Sequence, residues 1–204
     1  WSAMRTWSKL ENYTYSYYDS ERREAFLKKP RPQFPHLSTL LRCIVSPTIK
    51  AELFRYLIMW EYGGIISDWD DAVTLQTLPI KNDDECLLGI SNHNHLTAHF
   101  IAVRPKHPLM YFTLKWAISN VIRSYDIGTT NPVVAVGPQS LWTGFMYFLN
   151  ERKQTKFMGR KKFKLKEGIY SGFNNATVRI YGHERSMNGM LRVKQVNHKK
   201  NYWK

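Results

Sequence analysis

An α/β fold is predicted for this 204-residue chain by three features: apolar runs of strand length, amphipathic runs of helix length, and their alternation along the sequence. Hydrophobic residues make up 43% and aromatic residues 14%, enough to fill one substantial core, so residues 1–204 are read as a single domain.

The elements follow in order. Residues 20–29 (SERREAFLKK) open on a Ser that can start a helix and continue in good helix formers, which predicts a short helix. The prolines of 29–35 (KPRPQFP) predict an extended loop. The best-defined helix starts after Ser46-Pro47, where Ser caps and Pro is pre-set for the first turn, and it ends at Gly63-Gly64. Within it Ile49, Leu53, Tyr56, Leu57 and Trp60 recur at i, i+4, i+7, i+8 and i+11, one apolar stripe with Glu52 and Arg55 beside it. Residues 65–67 read as a short buried strand, and 72–78 resume extended structure. Core strands are predicted at 87–90 and 100–103, helices at 109–124 and 140–150, and a brief connector at 132–137. From Tyr170 onward the chain is polar and basic, with no period that assigns it.

Lys and Arg total 30 against 16 Asp and Glu, a net charge of +14. The excess concentrates in 152–166 (RKQTKFMGRKKFKLK) and 199–204, and both a solvated basic loop and a patch for nucleic acid, acidic membrane or phosphorylated ligand satisfy it. Phe157 and Phe163 between those cations fit a nucleic-acid or anionic-polymer binding module. No run approaches the ~20 apolar residues of a membrane span, and WSAMRTWSKL lacks a signal-peptide core, so the chain is read as soluble and, opening without Met, as a fragment. Cys43 and Cys86 fit neither zinc nor CxxC spacing; two core thiols or one bridge account for them. Sequons at Asn12-Tyr13-Thr14 and Asn175-Ala176-Thr177 suit a secretory lumen.

The chemistry centres on Asp68-Trp69-Asp70. In extended chain residues two apart share a side, so Asp68 and Asp70 can converge on one cation, and hard oxygen ligands suit Mg²⁺ or Mn²⁺. Asp-x-Asp is also common in surface turns, so the triplet alone fits either reading. The flanking Tyr62 and Trp69 can stack on a ligand, although aromatics beside a strand are more often core.

Residues 47–71, PTIKAELFRYLIMWEYGGIISDWDD, carry a carboxylate and an Arg three apart (Glu52, Arg55), then Arg-Tyr, Gly63-Gly64, and a hydrophobic strand ending in Asp-x-Asp. This order resembles the glycosyltransferases with a DXD-containing sugar-binding region, family 32, particularly the yeast-type initiating α-1,6-mannosyltransferases of the Golgi. Trp7 with Asn12-Tyr13 and Tyr15, Ala102 with His107-Pro108, and Gly137-Pro138 extend the likeness. The closing Asn197 to Lys204 is similar to the family's His-His-x-x-Gly-Ser-Trp segment, retaining His198 and Trp203 but not the first His or the Gly-Ser. Glu52 stands where the family usually has Asp, and no Ile-His-x-x-Trp strand precedes Trp1.

The resemblance implies a GT-A-like nucleotide-binding sandwich truncated at its N-terminus. It implies retaining transfer of a hexose, with mannose as the first candidate, from a nucleotide sugar to a glycan or glycoprotein acceptor. The divalent metal is expected to be Mn²⁺, with Mg²⁺ the other candidate, on Asp68, Asp70 and His198. Asp68 and Asp70 are the catalytic candidates, and Glu52, Arg55 and Asp68 bind the donor. The implied location is the Golgi lumen, as part of a single-pass membrane protein whose anchor lies outside this chain, and no nucleic acid is expected among its partners. A binding module built on the basic stretch and an inactive glycosyltransferase-like scaffold are the rival readings.

Overall fold

The chain folds as the α/β structure expected, with helices packed on a mixed sheet. A computed structural model describes residues 4–10, 13–68, 71–73, 80–90, 95–126, 135–150, 163, 165–183 and 191–193. The helices are α1 (Met4–Trp7), α2 (Ser20–Leu27), α3 (Leu37–Cys43), α4 (Pro47–Tyr62), α5 (Pro108–Asp126) and α6 (Pro138–Asn150). The strands are β1 (Gly64–Ser67), β2 (Asp71–Val73), β3 (Cys86–Ile90), β4 (Leu96–Val103), β5 (Gly168–Ser171), β6 (Thr177–His183) and β7 (Leu191–Val193).

The central sheet runs β1-β4-β3-β6-β5, and β2 pairs β7 in a separate two-stranded ladder. Only β3 and β6 are parallel; β1-β4, β3-β4 and β5-β6 are antiparallel. The parallel pair is the one joined through α5 and α6, the long crossover that parallel pairing requires. Along β4 successive residues alternate: Ile101 and Val103 join the main core with α4, α5 and α6, while Phe100 and Ala102 join a smaller core with Leu10, Val73 and Leu87. Covering on both faces explains why β3 and β4 read as continuous apolar runs.

The principal helix forms as its sequence predicts. The Ser46 hydroxyl accepts the Ile49 N–H at 3.4 Å and Pro47 occupies the first turn. All five residues of the predicted stripe are buried, and Phe54, Ile58 and Met59 are buried too, so α4 is covered well beyond one face. Gly63 ends it at φ +65°, and a Cβ there would lie 2.6 Å from the Val103 oxygen and the Pro105 nitrogen. Gly64 follows at φ +94° but faces open space.

Several expectations are corrected. Asp19, not Ser20, caps α2, accepting the Arg22 N–H at 2.8 Å. Residues 29–35 are not extended but folded into turns, with the Phe34 N–H on the Arg31 carbonyl at 2.9 Å and the Leu37 N–H on that of Phe34 at 3.0 Å. Proline's fixed φ serves turns as well as extended chain, and buried Arg31 anchors these turns through Glu61 at 2.9 Å and the Phe26 carbonyl at 2.9 Å. β1 is only half-buried, being an edge strand of the central sheet. Of the cysteines, Cys86 is buried and Cys43 exposed, and they form no bridge with each other. Helix α3, which buries Leu37, Leu40 and Leu41, and strands β5 to β7 add to the elements expected from sequence.

Candidate functional site

Two glycines turn the end of α4 directly into β1, and the chain then reaches Asp68. The Asp68 N–H donates to the His99 carbonyl at 2.9 Å, which carries the β1-β4 pairing one residue past the strand and fixes where this carboxylate starts. Glu52 and Arg55 approach from α4, one turn apart. Arg55 donates through Nη2 to the Asp68 carboxylate and through Nη1 to the Ala98 carbonyl on β4, both short contacts. Its Nε stands 3.6 Å from Glu52 Oε2. One guanidinium therefore bridges helix, strand and strand end, a task suited to its rigid fork of donors.

Electrostatics follow from this placement. Burial pushes the Glu52 pKa up, Arg55 opposes that, and the nearby Asp68 adds to it. For Arg55, burial works against the charge, but Glu52 and Asp68 outweigh it and raise the pKa further. Tyr56, fully buried, is raised far above its ordinary value by desolvation first and by Glu52 next, and its hydroxyl donates to the Gly137 carbonyl at 3.3 Å. It is a structural tie between α4 and the start of α6.

Asp68 lies at the edge of a cavity of about 600 Å³. One wall is α4 and β1, with Phe54, Ile58, Ile65 and Ile66; the opposite wall is residues 13–18. A cavity of this size, mostly apolar with a few polar groups among its lining residues, has the dimensions of a small-molecule site. Tyr62 lines it with 51% of its surface exposed, which corrects its reading as a core residue. Tyr13 and Tyr15 of the far wall entered the sequence reading only as part of a likeness, and Tyr17 and Tyr18 not at all. Tyr13, Tyr15 and Tyr17 are all exposed, and their spacing of two is the signal that marked one aromatic face of an extended segment. Tyr18 anchors that segment by packing 5.2 Å from the Phe54 ring.

The structure brings together Glu52, Arg55 and Asp68 among the predicted site residues. Trp69, Asp70 and His198 lie outside the described residues, as do 152–162 and 164 of the basic stretch. Asp71 begins β2, paired with Val193 of β7. Among the described residues no group of three His, Cys, Asp or Glu side chains converges. The donor set nonetheless fits a hard divalent cation: Asp68 offers a carboxylate 37% exposed at the cavity, and beside it Glu52 has a buried oxygen without a hydrogen bond. His107 has a structural role. Its Nδ1 accepts the Leu109 N–H at 3.2 Å at the start of α5, its Nε2 meets the Thr177 carbonyl at 3.1 Å, and burial lowers its pKa.

The α/β sheet thus carries a carboxylate–guanidinium cluster at a strand end, with Asp68 facing the cavity. The family model described as "Glycosyltransferase sugar-binding region containing DXD motif" matches residues 3–87, a stretch that contains Glu52, Arg55 and Asp68 and is thus glycosyltransferase-like. A solved structure titled "PaToxG Glycosyltransferase" is similar at 22% identity over 63% of this chain and 43% of that one, with a TM-score of 0.42, so the match spans under half of that protein's length. No curated protein matches the chain.

Proposed function

We propose that this chain is a metal-dependent, retaining glycosyltransferase of GT-A type. It transfers a hexose, with mannose the first candidate, from a nucleotide sugar to a glycan or glycoprotein acceptor. The observation that carries this reading is the Glu52–Arg55–Asp68 cluster, of which Asp68 lines the 600 Å³ cavity, inside the stretch that matches the sugar-binding family model. Asp68 with Asp70 holds the cation, His198 is the third candidate ligand, and Mn²⁺ or Mg²⁺ is the metal. When bound, such an ion stabilises the charge that develops on a departing nucleoside diphosphate. Glu52 and Arg55 orient the donor, Arg55 by charge-assisted bonds to sugar or phosphate. The exposed faces of Tyr13, Tyr15 and Tyr62 supply stacking surface along the cavity. Two sequons support a lumenal location, here proposed as the Golgi within a single-pass membrane protein. Among the described residues no helix is long and apolar enough to cross a membrane.

The rival nucleic-acid module loses one of its supports. Phe163, which it used as a stacking platform, packs against Trp142 at 5.8 Å and Phe145 at 6.4 Å. The decisive assay is hydrolysis of GDP-mannose and UDP-sugars by the full chain with Mn²⁺ and with chelator, beside Asp68→Ala and Asp70→Ala. Turnover that requires Mn²⁺ and both carboxylates supports the proposal. Turnover indifferent to chelator and to both substitutions ends it, and so does salt-sensitive oligonucleotide binding with no turnover.

A further inference from the structure

Arg55 serves two carboxylates unequally. It donates to Asp68 and to the Ala98 carbonyl, while its Nε is 3.6 Å from Glu52 Oε2, beyond a good hydrogen bond. That Glu52 oxygen is buried and accepts no hydrogen bond. A buried carboxylate oxygen left without a donor is costly, and each such group calls for an explanation. The backbones around it are fixed: α4 is capped at Ser46 and closed at Gly63, and Asp68 is tied to His99. Turning the Arg55 side chain toward Glu52 asks no change of either backbone, only release of its bonds to Ala98 and Asp68.

We infer that Arg55 exchanges partners, pairing with Asp68 in the cation-free site and turning onto Glu52 when a divalent cation takes the Asp68 carboxylate. The inference rests on the glycosyltransferase reading and deepens it, making Arg55 and Glu52 the positioning pair that sets how tightly Asp68 takes the cation. A guanidinium stays charged at any accessible pH, so it cannot yield its place by losing a proton. Arg55 holds Asp68 Oδ1, so a cation arriving at the other oxygen repels the guanidinium, and a turn onto Glu52 relieves that repulsion. Glu52 sits three residues back on the same helix, so the move needs no backbone change. In the cation-free site the pair also keeps Asp68 compensated, and after exchange it gives the orphaned Glu52 oxygen its donor.

The test titrates the full chain with Mn²⁺ alone, without nucleotide, and reads free Mn²⁺ by electron paramagnetic resonance. Arg55→Met removes the competing cation and is expected to tighten Mn²⁺ binding about tenfold, within the usual range of site coupling. Glu52→Gln weakens the second seat and is expected to loosen binding about fivefold. In the double variant the Glu52 effect vanishes, because no guanidinium remains to be reseated. Weaker or unchanged binding in Arg55→Met overturns the exchange. So does a Glu52→Gln loss that persists in the double variant, or an absence of Mn²⁺ binding in every form. Should Arg55→Met fail to fold, Arg55→Lys keeps a charge but not the fork: tighter binding supports the exchange and unchanged binding overturns it. Failure of the enzyme reading looks different, as an intact Mn²⁺ exchange with no nucleotide-sugar hydrolysis.

Discussion

Two arginine–aspartate pairs stand on this sheet, and they keep different company. Arg179 of β6 sets its fork on both oxygens of one aspartate: Nε meets Asp84 Oδ1 at 2.6 Å, Nη2 meets Oδ2, and the Lys81 N–H adds a bond to Oδ2 at 2.7 Å. Next to it Glu85 Oε2 accepts both the N–H and the hydroxyl of Thr177, at 2.6 and 3.0 Å. Arg55 instead divides itself among Asp68, a backbone carbonyl and a more distant Glu52, one of whose oxygens is buried without a bond. The first arrangement spends its charge on tying the 80–85 loop to β6. The second leaves a carboxylate oxygen unbonded next to Asp68, which lines a cavity, and this is the feature on which the proposed donor site rests.

The sharpest way to break the comparison is to treat both pairs alike. Asp68→Asn is expected to lower nucleotide-sugar hydrolysis about 10²–10³-fold while leaving the melting temperature within a few degrees, since loss of one electrostatic group at a reacting centre has that size. Asp84→Asn is expected to do the reverse, costing about 2 kcal/mol in urea unfolding with activity per folded molecule unchanged. Burial favours a higher Asp84 pKa, but Arg179 and the Lys81 N–H outweigh it and hold it below the ordinary value. The sign follows: its stabilisation is complete above the unfolded carboxylate value, about pH 4. The gap between wild type and Asp84→Asn should therefore be flat through neutrality and close only as pH falls below that value. Equal effects of both substitutions on stability and activity would erase the distinction.

The junction that aims Asp68 offers a smaller test. Gly63→Ala meets both a positive φ and atoms 2.6 Å away, whereas Gly64→Ala meets only a positive φ in open space. Chemical denaturation should show about 1–2 kcal/mol for Gly64→Ala, the left-handed penalty, and more for Gly63→Ala.

Much of this was legible in the sequence where local chemistry decides structure. The cap at Ser46, the Pro at the first turn, the apolar stripe and the paired glycines fix α4 by neighbours only a few residues apart, and so fix Glu52 and Arg55 on one side of it. That Asp68 would follow a strand was legible for the same reason. The i, i+3 approach of Arg55 to Glu52 follows from helical spacing, but its bond to Ala98 was not legible, because Ala98 is 43 residues away and its carbonyl has no side-chain signature. The Asp84–Arg179 tie, 95 residues apart, was invisible on the same ground. The mixed sheet also escaped, since alternating elements do not say which strands become neighbours. Tyr13 to Tyr18 went unread as a wall because its partner across the cavity is not a sequence neighbour.

The finest test lies in Glu52, the member of the cluster that is least well served. Burial raises its pKa, Arg55 pulls it down, and Asp68 raises it again, with the net above the ordinary carboxylate value. A carboxyl raised on folding binds its proton more tightly in the folded state, so it favours folding while protonated and penalises it once ionised. The penalty therefore grows as pH rises from the unfolded value through the folded one, and it is complete above both. Glu52→Gln cannot ionise and escapes it. Thermal melts should show the variant more stable than wild type at neutral pH by a few tenths to about 1 kcal/mol, with the difference shrinking toward acid. A Glu52→Gln variant that is less stable than wild type at neutrality would mean that Arg55 already compensates Glu52 in the folded protein. The unbonded oxygen would then carry no net cost, and the cluster's contrast with Asp84 and Arg179 would fall.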